Sequence, residues 1–184
     1  MTFVLLVLVV AAIVALVRGG TFHELARTNF RWSPLLLAAL VAQLVFDYWD
    51  PEWLSEGGGL AVILITNAAV AVFLARNWNL PGMGLAAAGM VLNVVVIAAN
   101  GAMPVSLRAA ELAGLQGPPR EPGLKHEILT DDTVLPFLAD VIPLPVLERL
   151  ISIGDVVLAA GIGWLVYSRM MAGRAKEATP EASG

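Results

Sequence analysis

The sequence predicts an all-α integral membrane protein, a bundle of five transmembrane helices with a partly helical extracytoplasmic segment between the fourth and fifth. Composition is the first observation: 58% of the 184 residues are hydrophobic, 14% are charged, and the mean hydropathy is +0.79. A soluble domain carries about a quarter charged residues. The second observation is five apolar runs with almost no internal charge, and the third is an uneven placement of Arg and Lys between the connections.

The same composition excludes several classes of protein. Cysteine is absent, which excludes a thiol nucleophile, a thiolate metal site and a disulfide framework. A formal net charge of −4 provides no basic surface for nucleic acid. His126 with Asp131 and Asp132 has no recognised metal-ligand spacing, so we expect no metal site and no cofactor.

The five predicted spans follow from length. A hydrocarbon core of about 30 Å and a helical rise of about 1.5 Å per residue require roughly 20 mostly apolar residues per crossing. The candidate spans are residues 2–17, 32–49, 60–75, 82–99 and 150–168. Trp32 and Trp49 mark the ends of the short second span, and Trp164 and Tyr167 mark the inner end of the last. The alternative, that some runs are core helices of a soluble protein, requires polar faces that they lack.

The placement of basic residues predicts the orientation. Taken alternately, the connections on one side receive seven of the 11 basic residues, namely Arg18, Arg27, Arg31, Arg76, Arg169, Arg174 and Lys176. The other side receives Arg108, Arg120, Lys125 and Arg149. By the positive-inside rule the first side is cytoplasmic. We therefore expect a bacterial cytoplasmic membrane protein with its N-terminus outside, one transmembrane domain over residues 1–171, and a mobile cytoplasmic tail over 172–184.

Residues 100–149 form the predicted extracytoplasmic segment, which we call the cap. Seven of the 11 prolines fall in it, which forbids a long uninterrupted helix, while a structureless loop of that length is uncommon. Ser106 is placed to cap a short helix that extends to Leu115. A second short helix is predicted after residues 130–133, with apolar residues between 135 and 142 lying on the membrane surface or on the bundle.

Four segments resemble a family of bacterial polytopic membrane proteins that is catalogued as a domain of unknown function. They are residues 100–105 (NGAMPV), 126–133 (HEILTDDT), 137–143 (FLADVIP) and 151–161 (ISIGDVVLAAG). The resemblance covers nearly the whole chain. It implies an integral membrane protein and no particular activity.

A narrower resemblance involves the C-terminal part of the chain. Asp140 in LADVIP, followed by Asp155 in ISIGDVVLAAG, is similar to the end of lipoprotein signal peptidase. In that family two membrane-embedded aspartates near the outer face cleave a lipid-modified peptide. The resemblance implies that Asp155 is the second catalytic aspartate and that the first lies near Asp131 or Asp132. The Gly, Asn and Arg that accompany the first aspartate in that family are missing here.

The residues themselves leave two interpretations of Asp155 open. It lies about five residues into the last span, where an ionised carboxylate costs a few kcal/mol unless it is paired or hydrated. One interpretation is an acid/base pair with Asp131, Asp132 or Asp140. The other is that Asp155 accepts backbone N–H bonds as a cap or tether, or pairs with Arg149. For Asp131 and Asp132 the alternative is likewise a cap in water.

Other polar and small residues complete the set of candidates. Asn100, Gly101 and His126 are candidate binding residues. Asn100 and Gly101, at the outer end of the fourth span, are expected to line the same cleft as Asp155; the alternative is an ordinary turn after a helix. Asn67 and Asn93, inside the third and fourth spans, are expected to form hydrogen bonds between helices. Small residues four apart permit close helix contact: Gly84 with Ala88, and Ala159 with Gly163.

Two classes of function follow. The first is an interaction or assembly module embedded in the lipid bilayer, whose cap engages a membrane protein or a lipid headgroup at the outer face. The second is an intramembrane aspartate-dependent hydrolase that uses Asp155 with Asp131, Asp132 or Asp140. Solute transport is disfavoured because only one ionisable residue lies clearly within a span.

Overall fold

The computed structural model describes residues 2–48, 56–115 and 126–177, and it is mostly helical. The helices are α1 (Thr2–Val17), α2 (Phe22–Ala26), α3 (Ser33–Tyr48), α4 (Glu56–Arg76), α5 (Met83–Asn100), α6 (Leu107–Leu112), α7 (Ile153–Met170) and α8 (Ala172–Glu177). Four short strands are β1 (Met103–Val105), β2 (His126–Ile128), β3 (Ile142–Leu144) and β4 (Arg149–Ile151). Helix α8 occupies the start of the predicted tail, whose residues 178–184 lie outside the described residues.

Three helices are long and apolar enough to cross a membrane: residues Gly58–Arg76 of α4, all of α5 and all of α7. Helices α1 and α3 are apolar but shorter. At about 1.5 Å per residue, the 16 residues of α1 span about 24 Å, against a hydrocarbon core of about 30 Å. Length and composition therefore support three of the five predicted spans.

The five longest helices pack in the order α3, α4, α5, α7 and α1, since each has extensive contacts with the next in that series. The central pairs bury a core that includes Ala39 of α3, Phe73 of α4, Met90 of α5 and Leu165 of α7. Helices α1 and α3 lie at the two edges. Their outer faces are therefore the most exposed apolar surfaces of the bundle.

Helices α5 and α7 touch backbone to backbone through glycines. A Cβ atom at Gly89 would overlap the backbone of Leu158, and one at Gly161 would overlap the backbone of Ala86. The small residues predicted at a spacing of four behave differently. A Cβ at Gly84 would lie 3.0 Å from the Trp78 ring, and one at Gly163 would lie 2.9 Å from a methyl of Val7 in α1. The closest helix contact thus involves glycines that the sequence interpretation had not singled out.

One end of the bundle, which we call the basic end, gathers several arginines. The Thr21 N–H donates to the Met170 carbonyl at 2.9 Å, so α1 and α7 both finish there. The backbone N–H and C=O of Arg31 bond to the Asn77 side chain at 2.8 Å each, which brings the start of α3 to the end of α4. The arginines at this end include Arg18, Arg27, Arg31, Arg76, Arg169 and Arg174. The cap lies at the opposite end, beside the start of α7.

The short helix predicted to begin at Ser106 is present in the cap. The Ser106 hydroxyl accepts the backbone N–H of Ala109 at 3.3 Å, as an N-cap does, and α6 follows it. The helix ends at Leu112 rather than Leu115, because the chain turns through Gly114 with φ of +80°.

The prediction of a second helix in the cap is wrong. Residues Pro136–Leu138 form only a single 3-10 turn, and the chain then becomes extended. Leu135 has a left-handed φ of +57°, and Pro143 and Pro145 lack the backbone N–H that a helix requires. The all-α prediction is also incomplete, since β1 pairs with β2 in parallel and β3 with β4 antiparallel. Asp140 joins the outer edge of β1 through a bridge to Val105.

Candidate functional site

The start of α7 meets both α5 and the cap, and four polar residues gather there: Asn93, Asp140, Ser152 and Asp155. We call this cluster the junction site. Asn93 is on α5, Ser152 and Asp155 open α7, and Asp140 lies in the cap next to β1. Residues that are far apart in sequence therefore contribute to one site.

A capping box fixes Asp155. The Ser152 hydroxyl accepts the backbone N–H of Asp155 at 3.0 Å, and a carboxylate oxygen of Asp155 accepts the backbone N–H of Ser152 at 3.3 Å. This reciprocal arrangement satisfies two backbone donors that a helix start leaves open, and a negative charge there is favoured by the helix dipole. The sequence signal was the serine three residues before Asp155, which the sequence interpretation overlooked.

Asn93 closes the network from α5. Its Nδ2 donates to the other carboxylate oxygen of Asp155 at 2.8 Å, and its Oδ1 accepts the Ser152 hydroxyl at 2.9 Å. Gly154 makes this possible, because a Cβ there would overlap the Asn93 amide oxygen. Both carboxylate oxygens of Asp155 are thus hydrogen-bonded. Within the described ranges Asp155 forms no ion pair, and Arg149 is exposed in β4.

Asp140 is the buried acid of the site, with 8% of its surface exposed. Its backbone is held to β1, since its N–H donates to Pro104 at 2.9 Å and its carbonyl accepts the N–H of Ser106 at 3.2 Å. Its Oδ1 has no hydrogen-bond partner among the residues that the structure describes. Burial, and after it the negative charge of Asp155, raise the pKa of Asp140 to about 7. Near neutral pH this carboxyl group therefore exchanges between its neutral and charged forms.

Asp131 and Asp132 lie elsewhere in the cap. Both are exposed in a turn where the Thr133 N–H donates to the Thr130 carbonyl at 3.1 Å and the Thr130 N–H to the Thr133 hydroxyl at 2.9 Å. Neither forms a hydrogen bond to Asp140 or Asp155. Of the four predicted acids, Asp140 and Asp155 are linked electrostatically, since the charge of Asp155 contributes to the raised pKa of Asp140.

Asn100 bonds to the cap backbone. Its Nδ2 donates to the Val134 carbonyl at 2.9 Å and to the Val96 carbonyl at 2.8 Å, and its Oδ1 accepts the Val134 N–H at 2.8 Å. Gly101 follows with φ of +84° and ends α5, its N–H donating to Ile97 at 2.8 Å. His126 pairs through its backbone with Met103, and its side chain lies outside the described part of the chain. Asn100 thus ties the cap to α5.

Two asparagines form the expected contacts between helices. Asn93 joins α5 to α7, as above, and the Asn67 side-chain oxygen accepts a hydrogen bond from Gln43 of α3 at 3.3 Å. Asn77, which was not singled out in the sequence, makes the same two-bond backbone contact to Arg31 that Asn100 makes to Val134. Its position just after the last residue of α4 was the available signal.

Within the described residues, no group of three or more His, Asp or Glu side chains is arranged to hold a metal ion. The junction site itself contributes two carboxyl groups, one amide and one hydroxyl. Its chemistry is therefore that of hydrogen bonding and proton exchange.

Comparison with known protein families identifies a family that covers most of the chain. The model of a family described as a family of unknown function (DUF5317) matches residues 27–167, which is well over half of the chain. No curated protein and no solved structure matches the chain. The match includes α3 to α6, all of α7 except its last three residues, and all four residues of the junction site.

Proposed function

The chain belongs to this family of unknown function, DUF5317, and we propose that it is a five-helix integral membrane protein that acts as an interaction or assembly module. In this proposal the cap binds a membrane-protein partner at the outer face of a bacterial cytoplasmic membrane. The observation that carries it is a division of roles within the cap. The Asn100 side chain, at the end of α5, is hydrogen-bonded to the backbone of Val134 and ties the cap to the bundle. Large apolar side chains of the cap are exposed on its outer surface.

The edge helices support placing all five long helices in lipid. Only Ala15 of α1 is buried. Its exposed side chains include Leu5, Val9, Val10, Ile13 and Val17, which is 83% exposed. An apolar face of this extent on a soluble monomer exceeds the few hundred Å² that water usually tolerates. In a bilayer the same face is solvated by acyl chains, and interfacial residues compensate for the short length of α1 and α3.

The outer surface of the cap supports the binding role. Val146 is 96% exposed at the tip of the β3–β4 hairpin, Leu112 is 61% exposed on α6, and Phe137 is 60% exposed. Helix α6 packs against β3 and β4, so Leu112 and Val146 lie on adjoining elements. Interfaces bury large apolar and aromatic side chains at their centre. We therefore place the partner against Leu112 and Val146.

Single cysteines test this proposal cleanly, because the chain has none of its own. Val146→Cys is expected to react with a membrane-impermeant maleimide on intact cells. Asn79→Cys, exposed in the turn after α4 at the basic end, is the matched control and is expected to react only after permeabilisation. The reverse pattern would refute the orientation that the positive-inside rule predicts.

The same cysteine at position 146 can carry a photoactivatable cross-linker. We expect one discrete protein adduct from native membranes, and we expect Leu112→Ser in the same chain to abolish it. A cross-linker at position 79 provides the control. Lipid adducts alone at position 146, or an adduct unaffected by Leu112→Ser, would contradict the proposed module.

One observation favours a second candidate, the aspartate-dependent hydrolase. Asp140 has a pKa raised to about 7 by burial and by the charge of Asp155. Acid/base hydrolysis uses a carboxylate that accepts a proton from the attacking water and a neutral acid that donates a proton to the substrate, and Asp140 exchanges between these two forms near neutral pH. In this reading the substrate is a lipid-modified peptide, as in the lipoprotein signal peptidases that the C-terminal segment resembles.

Two variants separate the candidates. Asp155→Asn replaces one carboxylate oxygen with an NH2 group, so either Asn93 Nδ2 or the Ser152 N–H loses its hydrogen-bond acceptor. Ser152→Ala removes the serine side of the same capping box and leaves the carboxylate in place. For the interaction module we expect both to lower membrane accumulation to a similar extent, at a cost of about 1–3 kcal/mol each. For the hydrolase, both variants lose the same structural contacts, but Asp155→Asn also abolishes peptide cleavage per folded protein, whereas Ser152→Ala keeps cleavage.

A further inference from the structure

A groove with a volume of about 530 Å³ runs between α1 and α7 on the side of the bundle away from the junction site. Its apolar part is lined by small side chains, Ala11, Ala160 and Gly163. Its polar part is lined by Arg18, Trp164 and Tyr167. Because α1 is an edge helix, the groove opens outward along the bundle surface rather than into the core.

The polar part of the groove is organised around Tyr167. The Arg18 guanidinium donates to the Tyr167 hydroxyl at 3.1 Å and lies 6.0 Å from the centre of its ring. The Trp164 ring lies 6.0 Å from that of Tyr167, and 56% of Trp164 is exposed. Trp and Tyr rings are enriched at the level of lipid headgroups. Arg18 directly follows the last residue of α1, so the cluster stands where the apolar surface gives way to the basic end.

The positive charge at this site is not neutralised within the described ranges. Arg18 is exposed and forms no ion pair there, and a second guanidinium, that of Arg174, donates to the Arg18 carbonyl. The nearby acid Glu24 is 3.9 Å from Arg27, with which it pairs. The Arg174 guanidinium thus adds positive charge next to the Arg18 backbone, and an anion at the polar part of the groove would be attracted by both arginines.

We propose that this groove binds an anionic phospholipid. The acyl chain lies over Ala11, Ala160 and Gly163, and the phosphate accepts hydrogen bonds from Arg18 and the Tyr167 hydroxyl. A guanidinium and a phosphate match in charge and in fork geometry. A second transmembrane helix is the less suitable occupant, because it would bury the Arg18 charge against an apolar surface.

This inference depends on the proposed membrane location of the bundle but not on the role of the cap. The test uses the full chain in detergent micelles with added phosphatidylglycerol or phosphatidylcholine. Bound lipid is counted by native mass spectrometry and thermal stability is followed in parallel. We expect phosphatidylglycerol to bind and to raise the unfolding temperature, and phosphatidylcholine to do neither.

Arg18→Gln is expected to weaken phosphatidylglycerol binding about tenfold or more, as the loss of a charge-assisted hydrogen bond implies. Arg18→Lys keeps the charge and is expected to retain much of the binding. Arg76→Gln is the matched control, since its guanidinium stacks on Trp32 at 4.6 Å at the same end of the bundle and outside the groove. If the Arg18→Gln variant does not fold, the loss of its thermal transition will show it. Lipid binding is then compared between the Arg18→Lys and Trp164→Ala variants instead.

Equal binding of both lipids, or unchanged binding by Arg18→Gln, would overturn the lipid site. A dimer that dissociates on Arg18 substitution would overturn it in favour of a second copy in the groove. If the chain does not select phosphatidylglycerol but the membrane-impermeant maleimide still labels residue 146 on intact cells, the lipid site is refuted and the proposed membrane location is retained. If the chain is released from membranes without detergent, the membrane proposal fails too.

Discussion

Gly161→Ala is expected to lower the free energy of unfolding by about 3 kcal/mol, and Gly161→Leu to prevent the bundle from assembling. The added Cβ would overlap backbone atoms of Ala86 and Gly82, which have no rotamer through which to move away. Relief therefore requires separation of α5 from α7. That separation also breaks the contacts of Asn93 with Ser152 and Asp155, which depend on the same close approach.

Gly163→Ala is the matched control, with the same chemical change two residues along α7. Its Cβ would lie 2.9 Å from a methyl of Val7, the end of a side chain on an edge helix. We expect a change smaller than about 1 kcal/mol, since a methyl can shift and alanine favours the helix. Reversible unfolding in detergent, followed by fluorescence of the five tryptophans, measures both variants. Equal effects at positions 161 and 163 would show that the α5–α7 contact is looser than described.

Asp140→Asn is expected to stabilise the protein at pH 8 by about 4 kcal/mol and to have little effect near pH 4. The pKa of Asp140 is raised from 3.8 to about 7, chiefly by burial and then by the charge of Asp155. Between these two values the unfolded chain has released a proton that the folded chain retains. The wild-type free energy of unfolding therefore falls as pH rises through this window and levels off above about pH 7, at about 1.4 kcal/mol per pKa unit.

Asparagine resembles the neutral acid in shape and does not ionise, so the variant loses this pH dependence. Hydrogen exchange of cap residues at pH 5 and pH 8 reports the effect where it arises. Asp132→Asn serves as the control because Asp132 is exposed in the Thr130–Thr133 turn. A wild-type cap whose protection does not fall between pH 5 and 8 would refute the assignment of Asp140 as a buried, raised-pKa acid.

The positions of the long helices could largely be predicted from the sequence. The run predicted over residues 82–99 became α5, Met83–Asn100, and the run over 150–168 became α7, Ile153–Met170. Each boundary is set locally, by a glycine after α5 and by the Ser152 capping box before α7. The strands of the cap could not be predicted from the sequence. Each has three residues, and Met103 pairs with His126 across more than twenty residues, so no local periodicity marks them.

The sequence singled out three members of the junction site, Asn93, Asp140 and Asp155, but it predicted neither Ser152 nor the arrangement of the four. Asp155 and Asp140 stood out in the sequence, but whether each was exposed, paired or buried depended on partners far along the chain. Asn93 lies 62 residues from Asp155 and decides how its carboxylate is used. Pro104 and Ser106 bond the backbone of Asp140 and hold it against β1. Asp131 and Asp132, equally prominent in sequence, lie in an exposed turn.

The amino-acid sequence alone determined where the long helices run and how apolar they are, because local hydrogen bonding and side-chain hydropathy act over a few neighbouring residues. Tertiary structure alone decided that Gly89 and Gly161 bring α5 and α7 into backbone contact. It also decided that of four acids one is buried and one is bonded on both oxygens. Such outcomes depend on which surfaces exclude solvent together, and residues distant in sequence determine that jointly.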